Sequence, residues 1–381
     1  MRTTAAVLRA TGSKRPYTTT RPLGIEQLQL DAPGAGELLV NIRAAGVCHS
    51  DLSVVTGHRV RPLPMALGHE AAGVVADVGP GVSDVTVGDH VVLAFVPSCG
   101  ACGYCEEGRP ALCEAGGAAN AAGRLLRGGG RLHDASGTEI KHHLGVSGFA
   151  EYAVVDRSSA VVVDKDVPFD VAAVLGCAML TGFGAVRNTA GVSSGESLAV
   201  IGLGGVGQAA VLGAVSCGAW PIVAVDPVAD KRALAVALGA THACEPGEAE
   251  GLLRELTGGG SRWVFEAAGV SAVMEHAFAL TRRGGTAVSV GLPAPDTKVA
   301  LPALAFAGEA KTLAGSYMGS SVAQRDIPLL IGMWREGKLP VERLVSGVLP
   351  LKEINTAFEE LAAGRAVRQL LHPGAEPGEA R

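Results

Sequence analysis

Four cysteines fall within fifteen residues, Cys99-x2-Cys102-x2-Cys105-x7-Cys113. Four sulfurs at that density can close a tetrahedral shell around one cation and leave no position open, which is the pattern of a structural rather than a reactive metal site. Zinc suits such a shell. An iron–sulfur cluster suits it as well, since both take soft thiolates, and the spacing alone leaves the two readings side by side.

At 381 residues the chain exceeds what one hydrophobic core usually supports, so two domains are expected. Hydrophobic residues make up 48% and charged residues 18%, the balance of a chain with ample core rather than a disordered one. A net charge of -5 offers no cationic surface for a phosphate backbone, so no nucleic-acid partner is expected. Charge interrupts the N-terminal stretch Met1 to Arg9 before any signal-like apolar run could form. No later stretch reaches the roughly 18 uninterrupted apolar residues of a membrane span, so no membrane partner is expected either. A reducing cytoplasm is the expected setting, and there clustered cysteines serve metals more often than disulfides.

From Glu37 to about Val163, short β-branched runs alternate with glycine turns, among them Leu38–Val40, Gly73–Val75, His90–Leu93 and Ala160–Val163. That spacing predicts an irregular, mainly-β unit. The segment from Glu114 to Leu144 is rich in Gly, Ala and Arg without a sustained period and reads as a long surface loop. After Pro168 the texture becomes helical patterns alternating with strands at Ser197–Ile201, Ile222–Val225, Trp263–Phe265 and Ala287–Val290. Helices are expected near 205 to 217, 230 to 238, 248 to 257 and 272 to 281, a βαβ series that implies a parallel sheet. Two further helices are expected near 322 to 336 and 352 to 363, and the last eight residues form a Gly/Pro/Glu-rich tail.

A dinucleotide fingerprint, Gly202-Leu203-Gly204-Gly205-Val206-Gly207, follows the strand Ser197–Ile201 and opens a helix-forming run. Gly202 makes the tight turn, Gly204 lets a pyrophosphate approach the backbone, and Gly207 lets helix and strand pack closely. The helix N-terminus then presents amide donors to the phosphates. Asp226 ends the next strand, 24 residues after Gly202, where a carboxylate accepts hydrogen bonds from ribose hydroxyls and repels a 2′-phosphate. The expected coenzyme is therefore NAD. Lys231 and Arg232 lie on the following helix, where solvated surface positions are the ordinary expectation.

A second metal site needs an open position, and Cys48, His69 and Cys177 supply two thiolates and one imidazole that leave one place for a substrate oxygen. Spacing alone does not pair ligands so far apart, and each taken singly is an ordinary buried residue.

The segments Ala45–Asp51 and Leu67–Gly73, the four-cysteine loop and the glycine fingerprint together resemble the medium-chain zinc-dependent alcohol dehydrogenases, in order and in spacing, as far as Val367-Arg368. The resemblance implies an α/β chain with a GroES-like, mainly-β catalytic domain over 1–178 and 318–381, and a Rossmann doubly wound parallel-sheet domain over 179–317. It implies two zinc ions per chain, one catalytic on Cys48, His69 and Cys177 and one structural on Cys99, Cys102, Cys105 and Cys113. Asp51 resembles the carboxylate that fixes the ligand histidine, and Glu70 the carboxylate behind the metal. His49 and Arg368 resemble pyrophosphate contacts, Asp226 and Lys231 adenosine-ribose contacts, and Thr181 and Val206 the walls of the nicotinamide pocket, beside the loop Gly202, Gly204, Gly205 and Gly207.

The activity implied is hydride transfer between a primary alcohol, aromatic or medium-chain, and NAD, giving an aldehyde. Ser50 resembles the hydroxyl that carries the substrate proton away, whereas the histidine that ends this relay in many relatives is replaced here by Ser53. Phe95, His143, Leu144, Leu292 and Tyr317 are expected to line the substrate pocket, with His143 either hydrogen-bonding a substrate oxygen or facing solvent on a loop. The long segment between Cys113 and Tyr152 resembles that of dimeric members, so a homodimer is expected. Two rival readings are a formaldehyde dehydrogenase acting on a thiol adduct and a catalytically idle homologue. His58-Arg59-Val60-Arg61 lacks the acidic pair such relatives use toward glutathione. Cys217 and Cys244 match no ligand position and read as core residues.

Overall fold

A computed structural model describes residues 1–374; most of the Gly/Pro/Glu-rich tail lies outside the described residues. The chain divides into two compact units, one comprising Met1–Cys177, Val322–Gly332 and the chain from Val341 onward, the other Ala178–Ser321 and Met333–Pro340.

The first unit is built from β structure contributed by both ends of the chain. Arg2–Leu8, Leu23–Leu30, Leu132–His133, Glu139–His142 and Met65–Ala66 close into a small barrel. A seven-stranded sheet centres on Glu37–Val47, which pairs antiparallel with Ala71–Val78, Tyr152–Asp156 and the late strand Arg368–His372. Residues on one face of that sheet, Leu38, Val40 and Ile42, pack with Phe149, Ile354 and Phe358 in one extensive apolar cluster. The alternation of side chains along a strand explains why these even-numbered positions share a core.

The β unit begins at Arg2 rather than at Glu37, because the two N-terminal strands complete the barrel. The expected surface loop over Glu114–Leu144 also needs correction. It holds the helix Glu114–Ala122 and the two short strands of the barrel wall, Leu132–His133 and Glu139–His142. The helix starts at Cys113, whose sulfur accepts the Gly116 amide at 3.3 Å, so a thiol rather than the usual hydroxyl or carboxamide caps it.

In the second unit six strands form one parallel sheet, ordered His242–Cys244, Ile222–Val225, Leu198–Ile201, Ser261–Glu266, Thr281–Ser289 and Thr312–Gly315. In chain order this is 3-2-1-4-5-6, the doubly wound arrangement whose topological switch lies at the first strand. The connecting helices Gly205–Ser216, Ala229–Ala237, Ala249–Thr257 and Ser271–Leu280 fall where the apolar periodicity predicts them, as do Ala323–Arg335 and Ile354–Ala362. One helical run, Phe169–Ala190, is long and apolar enough to cross a membrane, yet 83% of its apolar window is buried inside the protein. Its side chains are taken up by the core.

Candidate functional site

Three local devices in the first unit bring distant residues together. Cys48 follows the strand Glu37–Val47 and caps the helix His49–Val55, its amide donating to Asp51 Oδ2 at 3.3 Å. Gly68 holds φ +93°, and a Cβ there would overlap the backbone nitrogen of Phe149. Only glycine makes this turn, which aims the next residue, His69, inward. Cys177 lies in a π-helical turn, Leu175–Met179, that continues the helix Phe169–Val174. Such turns re-aim side chains and gather at functional sites. Gly176 lets this turn settle against the carbonyl of Leu93, which a Cβ would overlap.

Cys48, His69, Glu70 and Cys177 thereby bring one ligand atom each within 4.8 Å of one another, all four side chains buried. Cys177 Sγ lies 3.4 Å from His69 Nε2, while Nδ1 of the same ring lies 3.0 Å from Asp51 Oδ1. Burial alone would depress the basicity of His69, but the Asp51 carboxylate overrides it and holds the imidazole well above its ordinary value. Asp51 is itself held low against its burial by His69 and His143. Of the two thiols, Cys48 ionises the more readily, favoured by the neighbouring Cys177 and by the Arg368 guanidinium. Glu70 is pushed up to about 7 by burial, opposed by Arg368 at 3.0 Å. Both its carboxylate oxygens lack a well-aligned hydrogen bond, so the cluster contains buried acceptor capacity that the protein does not satisfy.

Cys99, Cys102, Cys105 and Cys113 form a second cluster with sulfurs within 4.8 Å. Backbone amides point at these sulfurs: Cys99 N and Gly116 N donate to Cys113, both at 3.3 Å, and Ala101 N donates to Cys99 at 3.5 Å. Amide donation lowers Cys102 to about 7, while burial pushes Cys105 up to about 12. All eight cysteines are free of disulfides.

In the second unit the glycine loop has the form its sequence predicts. Gly202 turns with φ +93°, a Cβ on Gly207 would overlap the Gly202 carbonyl, and nothing lies within 4 Å of where a Gly204 Cβ would project. Gly204 caps the helix Gly205–Ser216 at its N-terminus. Asp226 ties this turn to the second strand, Oδ2 accepting from Leu203 N at 2.8 Å and Oδ1 from Val228 N at 2.9 Å. Thr181 and Val206 come from neighbouring helices, with Gly182 lying directly against the Val206 carbonyl.

Two family models match the chain: an alcohol dehydrogenase GroES-like domain over residues 34–165 and a zinc-binding dehydrogenase over 205–334. An NDMA-dependent alcohol dehydrogenase of Amycolatopsis methanolica is 38% identical across 99% of this chain and its own full length. The chain belongs to the zinc-binding alcohol dehydrogenases. The relatives of this oxidoreductase include a geraniol dehydrogenase of Castellaniella defragrans, 38% identical over 96% of each chain. The crystal structure of a benzyl alcohol dehydrogenase from Acinetobacter calcoaceticus is 31% identical, covering 98% of this chain and 99% of its own, with a TM-score of 0.88.

Within this alcohol dehydrogenase the remaining expected residues divide by surroundings. Phe95 stands edge-on to His69 with ring centres 5.5 Å apart, and Leu144 is buried nearby in the same unit. Leu292 and Tyr317 belong to the second unit, 48% and 38% exposed. His143 is 1% exposed, which corrects the solvent-facing alternative. His49 is exposed at the first position of its helix and Ser50 is half-buried beside it. Ser53 donates its hydroxyl to the His49 carbonyl at 2.8 Å. Arg368 directs its guanidinium to Glu70 and to the Val47 carbonyl, 3.1 Å away. Lys231 is half-buried, and its carbonyl accepts from Gln208 Nε2 at 2.8 Å. Arg232, read as a solvated helix residue, instead donates to the Asp226 carbonyl at 2.7 Å. Cys244 is buried as expected of a core residue, whereas Cys217 is half-buried.

Two residues escaped the sequence reading. Asn120 is buried and donates to the Phe95 carbonyl at 2.9 Å, fixing the backbone behind that ring, but it lies in the segment without a sustained period. Glu266 ends a strand of the parallel sheet and accepts from Ala268 N and Gly269 N at 2.7 and 2.6 Å. A carboxylate at a strand end followed by Ala-Ala-Gly was the available signal.

Proposed function

We propose that this alcohol dehydrogenase transfers hydride between a primary alcohol, aromatic or medium-chain, and NAD, giving the aldehyde. The observation that carries the reading is the convergence of Cys48, His69 and Cys177, with Asp51 on the far nitrogen of the histidine. Two sulfurs and one imidazole nitrogen are the donor set of a zinc site that keeps a place for substrate, and a carboxylate on the ligand histidine is its usual support. Zinc held there would act as a Lewis acid toward the alcohol oxygen.

The chain's own residues do the rest. Asp51 holds the proton of His69 on Nδ1, leaving the Nε2 lone pair directed at the two thiols. Glu70 and Arg368 balance each other behind the thiols. Ser50 Oγ takes up the proton released by the substrate hydroxyl. Ser53 Oγ is engaged with the His49 carbonyl and carries no imidazole, so water completes the proton's exit. The four-cysteine loop holds a second, structural zinc. The first unit serves as the catalytic domain and the second as the coenzyme domain, where Asp226 favours NAD over NADP. We further propose a homodimer working in the cytoplasm, a reading supported by the length of the segment between Cys113 and Tyr152 and by the free state of the cysteines.

The test is a substrate panel on purified protein with metal analysis. Benzyl alcohol and geraniol should each drive NAD reduction, with NADP, NDMA-supplemented and formaldehyde-plus-thiol reactions run in parallel. Activity confined to formaldehyde with a thiol would replace the substrate class. A single zinc per chain with no alcohol-dependent reduction of NAD would leave a catalytically idle homologue.

A further inference from the structure

His143 is a buried imidazole whose Nδ1 lies 3.0 Å from Asp51 Oδ1. The same oxygen is 3.0 Å from His69 Nδ1 and 3.2 Å from the Gly68 amide, and Asp51 Oδ2 accepts the Cys48 amide. A carboxylate oxygen offers two lone pairs. With His69 and Gly68 already on Oδ1, the His143 nitrogen approaches off-axis and makes no aligned hydrogen bond. Its N–H dipole nevertheless faces a fully buried charge, where electrostatic contacts are screened little. The two imidazoles also meet edge to face, with ring centres 5.5 Å apart at 90°.

The loop that carries His143 is strained to hold it there. Leu144 and Ser147 both adopt φ 52°, a region disfavoured for residues with a Cβ, on either side of Gly145 at φ 69°. Ser147 Oγ accepts the His143 backbone N–H at 2.9 Å, and the Val146 and Ser147 amides return to the His143 carbonyl. Hydrogen bonds on both sides of the peptide thus fix the ring's origin.

We infer that His143 is a positioning residue for the metal on Cys48, His69 and Cys177, acting through Asp51. It limits the ways the Asp51 carboxylate can rotate, and Asp51 in turn fixes the ring plane and tautomer of His69. The inference rests on the proposed ligand set. It takes His143 out of the group that recognises substrate and places it behind the ligand histidine.

The test follows zinc rather than turnover. Full-length wild type, His143→Phe and His143→Gln are loaded with zinc and mixed with excess chromophoric chelator, and release is timed. Wild type should release two ions in separate phases, the four-cysteine loop serving as internal reference. His143→Phe, which preserves ring volume without the N–H, should speed one phase about tenfold and leave the other unchanged. His143→Gln, which restores a donor toward Asp51, should recover part of that loss. Ser147→Ala, which removes only the hydroxyl holding the His143 backbone, should speed the same phase by a smaller factor and serves if the ring variants fail to fold. Wild-type release rates across the soluble variants overturn the inference. A wild type that releases only one ion strikes the ligand assignment itself, and that result needs no variant.

Discussion

Arg368 places its guanidinium 3.0 Å from Glu70 although the arginine is 3% exposed and the carboxylate fully buried. Their positions are about 300 residues apart, joined because the strand Arg368–His372 pairs with Glu37–Val47. Gly46 makes the room, since a Cβ there would press on the Glu70 side chain. Burying a charge without its partner is far more costly than burying the pair.

Removing one partner should therefore hurt more than removing both. Arg368→Met is expected to destabilise the fold by about 3 to 5 kcal/mol, and Arg368→Met with Glu70→Gln by clearly less. Urea unfolding of both single variants and the double variant measures this coupling. Additive losses would show that the two side chains do not support each other.

His142 gives a pH prediction. Burial lowers its pKa to about 4, and its Nε2 accepts the Arg131 amide at 3.1 Å, so the folded protein prefers the neutral ring. The unfolded chain binds a proton near the ordinary value of about 6.5. Between those two values the unfolded state holds more protons, so stability must fall as pH falls from about 6.5 toward 4. The contribution lost is on the order of 3 kcal/mol. His142→Gln keeps an acceptor for Arg131 without titrating, and its urea midpoint should fall less between pH 7 and pH 5. Parallel slopes for the two proteins would remove His142 from the account.

The second unit was legible because its signals are local. Strand, glycine turn, helix and Asp226 follow one another, and each helix there carries its own apolar period. The first unit was less so. Leu132–His133 and Glu139–His142 are too short to display alternation, and the helix Glu114–Ala122 contains Gly116 and Gly117, weak helix formers that hide its period. Cys48, His69 and Cys177 could be nominated as ligand types, but their grouping came from the motif resemblance, not from spacing. The roles of His143 and Arg368 depend on which strands pair, information that no single segment carries.

Asp226 supports a prediction on coenzyme choice. Its oxygens already accept two backbone amides, so Asp226→Asn can keep part of that scaffold while removing the negative charge. The ratio of kcat/KM for NADP to that for NAD should rise about tenfold, the effect of roughly 1.4 kcal/mol. An unchanged ratio would mean that the carboxylate serves only the glycine turn.

Gly176 offers the sharpest test of how the chain delivers Cys177. A Cβ at Gly176 would collide with the Leu93 carbonyl, which is backbone and cannot rotate aside as a side chain would. Gly176→Ala must therefore push the π-helical turn Leu175–Met179 away from the strand His90–Leu93, and Cys177 moves with it. Overpacking of this kind costs about 1 to 3 kcal/mol, within reach of a chain this size without unfolding it. The displacement should be felt more strongly at the cluster, where Cys177 Sγ sits 3.4 Å from His69 Nε2. Gly176→Ala is expected to remain folded by circular dichroism yet to lose one of two bound zinc ions on dialysis, together with most alcohol-dependent activity. Gly103→Ala, at a position with nothing within 4 Å of its Cβ, is the matched control and should keep both. Full zinc content in Gly176→Ala would show that the helix can shift without disturbing Cys177, and the proposed dependence of the site on that close approach would fall.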